Sequence, residues 1–134
     1  MRTLLLLLPL ILAGCLPPQP EPGPGPSPDP PGPQPVVDSC WLITVSETGE
    51  RTPEQAEILN ALEFWTGLES LGCHFRHYDD DQTAAAAYVA KAREKNVSLP
   101  ALLITSPTGN LLRCVELPNT TAAIRSLVKE VTGK

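Results

Sequence analysis

Three patterns of apolar and polar positions succeed one another along the chain. Leu4 to Leu12 is an uncharged apolar run broken only by Pro9. Residues 17–35 carry no apolar periodicity. From Val36 onward, short apolar runs alternate with segments whose apolar residues recur at helical spacing. In this third region Cys40-Trp41-Leu42-Ile43-Thr44-Val45 predicts a strand buried on both faces. Ser46 to Arg51 is polar, contains Gly49 and predicts a loop. Thr52-Pro53-Glu54-Gln55 predicts a helix start, with threonine as cap, proline in the first turn and glutamine closing a capping box. Ile58, Leu59, Leu62, Trp65, Leu68 and Leu71 then follow at helical spacing, and Gly72 supplies a left-handed stop. Cys73 to Tyr78 predicts a second strand. Asp79-Asp80-Asp81 ends it and leads into an alanine-rich helix over Thr83 to Lys95, where negative charge near the start is favourable. Ala101 to Thr105 predicts a third strand, Ser106-Pro107-Thr108-Gly109-Asn110 a hairpin turn, and Leu111 to Leu117 a fourth strand. After Pro118-Asn119 a last helix is predicted, with Ala122, Ile124, Leu127, Val128 and Val131 on its apolar side.

The composition divides the chain at the same places. Eleven of the sixteen prolines fall between Pro17 and Pro35. Proline fixes φ and removes an amide donor, so this stretch is excluded from helix and sheet. It is expected to form a disordered, extended stalk rich in polyproline II, reaching roughly 50–60 Å at ~3.1 Å per residue. A spacer is the favoured role; a docking strip for a proline-recognising partner is the rival. Residues 36–134 hold only Pro53, Pro100, Pro107 and Pro118, and are expected to fold as one small domain. The formal net charge of −5 offers no basic patch, so nucleic acid is not an expected partner. Two each of Trp, Tyr and Phe argue against a base-stacking platform or an aromatic ligand cage.

The N-terminus has the character of an address. Arg2 supplies a positive start. The apolar run is too short to cross a bilayer as a helix, which takes about 20 residues, and suits a secretion signal. It ends in Leu12-Ala13-Gly14-Cys15, which resembles the bacterial lipobox. The resemblance implies a signal peptide over 1–14 and a lipidated Cys15 carrying several palmitate-type acyl chains. Residues 15–35 would then link this anchor to the domain at 36–134. Several chains hold a protein stably to a membrane where one holds it marginally. The implied partner is therefore the membrane, and the implied location is the cell envelope, facing periplasm or exterior. Leu16 stands where an aspartate would favour retention at the inner membrane, so the outer membrane is expected in a Gram-negative host.

The domain order βαβαββα implies an α/β fold with a four-stranded mixed sheet and three helices. Its first two strands are expected to be parallel, and its last two to form an antiparallel hairpin. Together with Leu99-Pro100-Ala101-Leu102-Leu103-Ile104, which looks like a cis-proline opening a buried strand, this order resembles the thioredoxin-like fold. Redox-active members place a Cys-x-x-Cys pair where the first helix opens, and the helix N-terminus there favours the thiolate. Here the matching stretch, Ser46 to Pro53, has no cysteine, and two glutamates disfavour an anion. The resemblance therefore implies a non-catalytic binding or scaffolding module. A peptide or envelope protein would be held at Thr48, Arg51, Thr52, Ser98, Leu99 and Pro100. Thiol–disulfide chemistry by cysteines in unusual places is the alternative, and an envelope or phage-lysis lipoprotein the second alternative. The family's sheet order would place Cys40 and Cys73 at the starts of neighbouring strands, within reach of a structural disulfide; three buried thiols are the competing arrangement. Cys114 would lie too far away to join them. Cys73, His74 and His77 resemble metal ligands only as a string, because on a strand His74 and His77 point to opposite faces. Neither they nor Asp79-Asp80-Asp81 implies a metal site. No Gly-rich phosphate loop or G-x-S-x-G turn implies a cofactor or a serine nucleophile.

Overall fold

The structure, a computed structural model, describes residues 36–134 and, before them, Gly23 alone. The leader expected over 1–14, Cys15 and, Gly23 apart, the linker expected over 15–35 lie outside the described residues. The elements are β1 (Cys40–Ser46), α1 (Pro53–Asn60), α2 (Leu62–Glu69), β2 (Cys73–Asp79), α3 (Ala86–Glu94), β3 (Ala101–Thr105), β4 (Leu111–Glu116) and α4 (Thr121–Thr132). Single 3-10 turns at Thr48–Glu50 and Thr83–Ala85 precede α1 and α3.

The strands form one sheet in the order β2-β1-β3-β4. β1 and β2 are parallel, and β3 is antiparallel to both β1 and β4. This is the thioredoxin-like α/β arrangement. The two central strands explain the two continuous apolar runs, because residues pointing to either face of β1 or β3 meet a helix layer. On one face Leu42, Leu102 and Ile104 pack with Trp65, Leu68, Ile124 and Val128 from α2 and α4. On the other, Ile43, Val45, Ala101 and Leu103 pack with Ala85, Val89 and Ala92 around α3. The Leu99–Pro100 peptide bond is cis.

Four helices stand where three were expected, because the first helical segment breaks at Ala61, whose ψ of 73° is not helical. The Ile58 carbonyl accepts from the Ala61 amide at 3.1 Å and from the Trp65 indole Nε1–H at 2.8 Å. In an unbroken helix that carbonyl would take the Leu62 amide instead. The break also shifts the phase of the apolar stripe. Phe64 is buried, whereas Leu62 and Leu71, expected on the inner face, are 65% and 38% exposed. At the start of α3 the aspartates do not act as caps. The residue before the 3-10 turn is Gln82, which makes no side-chain cap, and the Asp79 carboxylate is engaged elsewhere.

Candidate functional site

The sheet end where β1 and β2 stop collects the loops that carry the expected binding residues. Thr52 is the N-cap of α1, and its Oγ1 accepts from the Gln55 amide at 3.2 Å. The Gln55 side chain closes the box by accepting from the Thr52 amide at 3.0 Å. This local arrangement follows from Thr-Pro-x-Gln alone. Its other half is long-range: Gln55 is buried, and its Nε2 donates to the Leu117 carbonyl at 2.7 Å. The Leu117 amide in turn donates to the Pro100 carbonyl at 2.8 Å. Thr52 Oγ1 also donates to Asn119 Oδ1 at 3.3 Å. The start of α1, the β4–α4 connection and the entry to β3 are thereby tied into one unit. Only the capping role of Gln55 is written in its sequence neighbourhood; nothing local signals the reach to Leu117.

Arg51 turns toward β2. Its Nε donates to Ser46 Oγ at 2.8 Å, and its Nη2 pairs with Asp79 Oδ1 at 2.7 Å. Thr48 lies in the 3-10 turn and lines a cleft of about 270 Å³ with Glu47, Gly49 and Asp79, Asp80 and Asp81. The expected binding residues therefore fall into two groups. Thr52 is bonded toward the β4–α4 connection and through Gln55 and Leu117 to Pro100, while Thr48 and Arg51 line the β2 side. Pro100 is buried, Leu99 half-buried and Ser98 exposed, so the loop before β3 offers Ser98 and Leu99 to the surface.

His77 is a member of this end that sequence reasoning left as an ordinary strand residue. It is the register partner of Thr44, and its Nδ1 is hydrogen-bonded to Thr44 Oγ1. The residue is exposed, and its ring packs edge-on to Trp65, with ring centres 4.8 Å apart, and against Phe75 at 5.5 Å. This packing removes water from the imidazolium and, with the nearby Arg51 charge as a smaller cause, holds the His77 pKa below the ordinary value of 6.5.

The three described cysteines lie away from α1's opening turn. Cys40 and Cys73 are partners in the first rung of the parallel pair, with Cα atoms 4.6 Å apart, and are joined in a disulfide. Both are fully buried. Six rungs, about 20 Å of strand, separate them from Ser46 and Asp79 at the loop end. Cys114 is a free, half-buried thiol opposite Leu103 on β4. Burial pushes its pKa up, with Lys95 acting weakly against the rise, so little of it is thiolate at neutral pH. His74 packs on Trp41, 4.9 Å between ring centres, on the α3 side of the sheet, while His77 lies on the opposite side against Trp65. Among the described residues, no group of three or more His, Cys, Asp or Glu side chains is placed to hold a metal ion. No described helix is long and apolar enough to cross a membrane.

No protein-family model matches the chain, and no curated protein matches it. Among solved structures, the chain is similar to the first two thioredoxin domains of Saccharomyces cerevisiae Eps1p. The identity is 14%, over 76% of this chain and 42% of that one, with a TM-score of 0.45. The chain thus spans less than half of that structure's length.

Proposed function

We propose that this chain is an envelope-facing binding module, tethered to a membrane through Cys15, that uses a thioredoxin-like frame without dithiol chemistry. One observation carries the reading: among the described residues no sulfur lies where β1 passes into α1. The stretch Ser46 to Pro53 contains no cysteine. Cys40 and Cys73 are buried as a disulfide at the far end of their strands, and Cys114 is half-buried midway along β4. Disulfide exchange needs an accessible thiolate in line with the target sulfur, and none of the three meets that need.

The frame then serves recognition. The network from Thr52 through Gln55 and Leu117 to Pro100 makes the loop end rigid, as suits a surface that holds an extended peptide or an envelope protein between Thr48, Arg51 and Thr52 on one side and Ser98 and Leu99 on the other. The tether rests on Leu12-Ala13-Gly14-Cys15 and the short apolar run before it. The proline-rich stretch provides the distance from the lipid.

Two measurements test this. In bacteria fed an alkyne-tagged fatty acid, the wild-type chain is expected to take up label and sediment with membranes, and Cys15→Ser to lose the label. A wild-type chain without label removes the tether from the reading. In an insulin-reduction assay with dithiothreitol, the detergent-extracted full chain is expected to give no acceleration. Acceleration abolished by Cys73→Ser or Cys114→Ser would replace the binding module with an oxidoreductase.

A further inference from the structure

β2 is an outer strand of the sheet, and its free edge carries main-chain bonding capacity that the fold does not use. The Cys40 amide donates to the Gly72 carbonyl at 3.1 Å. With Cys40 opposite Cys73, the parallel ladder turns the N–H and C=O groups of His74, Arg76 and Tyr78 toward β1, and those of Cys73, Phe75, His77 and Asp79 away from it. Cys73 is fully buried, and the Asp79 carbonyl accepts from the Gln82 amide at 3.1 Å. The open stretch is therefore Phe75, half-buried, and His77, exposed. Their outward amides and carbonyls bond to no described residue.

Proline, lysine, a bulge or a covering element commonly blunts such an edge. β2 contains neither proline nor lysine, and its pairing with β1 runs without a register shift. A cleft of about 470 Å³ is lined by every residue from His74 to Tyr78, together with Trp41, Glu69 and Gln82. Successive strand residues point to opposite faces, so a cleft lined by all of them lies over the edge itself. On the α3 side this edge is positive. The Arg76 guanidinium lies 5.6 Å over Trp41 and makes no ion pair among the described residues. It adjoins a groove shared by Trp41, Tyr78 and Tyr88, which no carboxylate lines. Glu69 belongs to α2, on the other face. There Phe75 and His77 pack with Trp65. The opposite edge of the sheet differs: β4 meets β3 with a register shift, and its Arg113 pairs with Glu130 at 3.6 Å.

We propose that the β2 edge takes up an extended segment of a partner protein as an added antiparallel strand, with an acidic side chain opposite Arg76 and apolar side chains opposite Phe75 and His77. Phe75 and His77 then exchange main-chain hydrogen bonds with the segment. Arg76 falls in the non-hydrogen-bonded position, where facing side chains come closest. Main-chain bonds supply affinity in such additions, and alternate side chains supply selectivity. A second copy of this chain fits less well. Antiparallel pairing of two β2 strands about a two-fold axis, centred on Phe75, Arg76 or His77, sets the two Arg76 side chains opposite or diagonal to each other on one face, and like charges so placed repel. The stretch from Pro17 to Pro35 is unsuited as well, because proline has no amide to give a ladder. The edge shares no residue with the loop-end surface, and the proposal stands whether or not the chain is lipid-tethered or redox-active.

The test uses the full chain in detergent and a fluorescein-labelled synthetic peptide, Thr-Thr-Val-Glu-Val-Thr-Thr, followed by anisotropy. Its glutamate is placed to face Arg76, and its valines to face Phe75 and His77. Saturable binding is expected. N-methylation of the two valine amides, which point at β2, is expected to weaken it at least about 10-fold, the loss of two hydrogen bonds. N-methylation of the glutamate amide, which points away, is expected to leave it unchanged. Arg76→Glu is expected to weaken binding about 3- to 10-fold, and a peptide with lysine in place of glutamate to restore it. Absence of saturable binding to millimolar peptide would overturn the proposal. So would equal effects of the two methylation patterns, binding indifferent to Arg76→Glu, or binding lost in Thr52→Ala instead, which would move the peptide to the loop end. Sedimentation that found a dimer dispersed by the peptide would give the edge to a second copy and overturn it too. Far-UV circular dichroism of each variant, matched to wild type, keeps a loss of binding distinct from a loss of fold, and the methylated peptides leave the protein unaltered.

Discussion

Replacing Gln55 with alanine probes the link between α1's start and the rest of the loop end. Gln55 makes two hydrogen bonds across a buried position, one with the Thr52 amide and one with the Leu117 carbonyl. Each is worth about 1 kcal/mol net. Leu117 is only 2% exposed, so its carbonyl, once abandoned, finds no ready water, and an orphaned buried acceptor costs about 1–3 kcal/mol. The Thr52 amide belongs to a half-buried residue and recovers a water partner more easily. Gln55→Ala is therefore expected to cost about 2–4 kcal/mol, or roughly 10–25 °C in Tm for a domain of this size. Thr52→Ala removes the cap and the exposed bond to Asn119, and should cost about 1 kcal/mol. Gln55→Glu is the sharper variant. It can still accept from Thr52, but at pH 7 it sets a carboxylate against the Leu117 carbonyl. At pH 4, where much of the glutamic acid is protonated and able to donate, its deficit relative to wild type should shrink. Urea denaturation followed by circular dichroism at both pH values measures all three variants. A loss below about 0.5 kcal/mol for Gln55→Ala, or a Gln55→Glu protein as stable as wild type at pH 7, would refute the reasoning.

Reducing the Cys40–Cys73 bridge should cost about 4 kcal/mol, the loop-closure entropy for a sequence separation of 33. Without reductant, an alkylating agent should mark Cys114 and neither of the other two described cysteines, and labelled Cys73 in intact protein would contradict the pairing. Because the folded-state pKa of His77 is depressed, the unfolded chain takes up this proton first as the pH falls. Stability from this residue is therefore complete above the unfolded value of about 6.5 and declines below it until the folded pKa is passed. Urea midpoints at pH 7.5 and 5.5 should differ in that direction, and His77→Gln should reduce the difference; an unchanged pH dependence would exclude His77 as its source. Gly72 has φ +84°, and a Cβ there would stand 3.0 Å from the Asp38 carbonyl oxygen, so Gly72→Ala should lower stability by at least about 1 kcal/mol. Gly67 is helical with open space beside it, and Gly67→Ala should raise stability by about 0.5–1 kcal/mol. Equal effects at the two glycines, read from thermal melts, would show that conformation and close approach are not what separates them.

The parts of this protein legible from its residues are those whose causes are local. Thr52, Pro53 and Gln55 lie within one helical turn, so the capping box is written in four consecutive positions. Apolar and β-branched runs at 41–45 and 101–104 mark central strands because both of their faces must be covered, and Gly72 marks a left-handed stop because few other residues adopt that conformation cheaply. Ala61 carries no such mark. The helix breaks there because Trp65, fully buried, directs its indole to the Ile58 carbonyl, and that choice depends on the sheet beneath it. The same holds for Gln55 reaching Leu117, for His77 meeting Thr44 across a rung, and for Trp41, Tyr78 and Tyr88 meeting in one groove from three separate elements. Sequence alone determined the order of strands and helices, the acidic balance and the lack of a cysteine between Ser46 and Pro53. Tertiary structure alone decided which side chains meet, because contacts between residues 33 to 62 positions apart are set by sheet register and helix packing, which no short stretch of chain encodes.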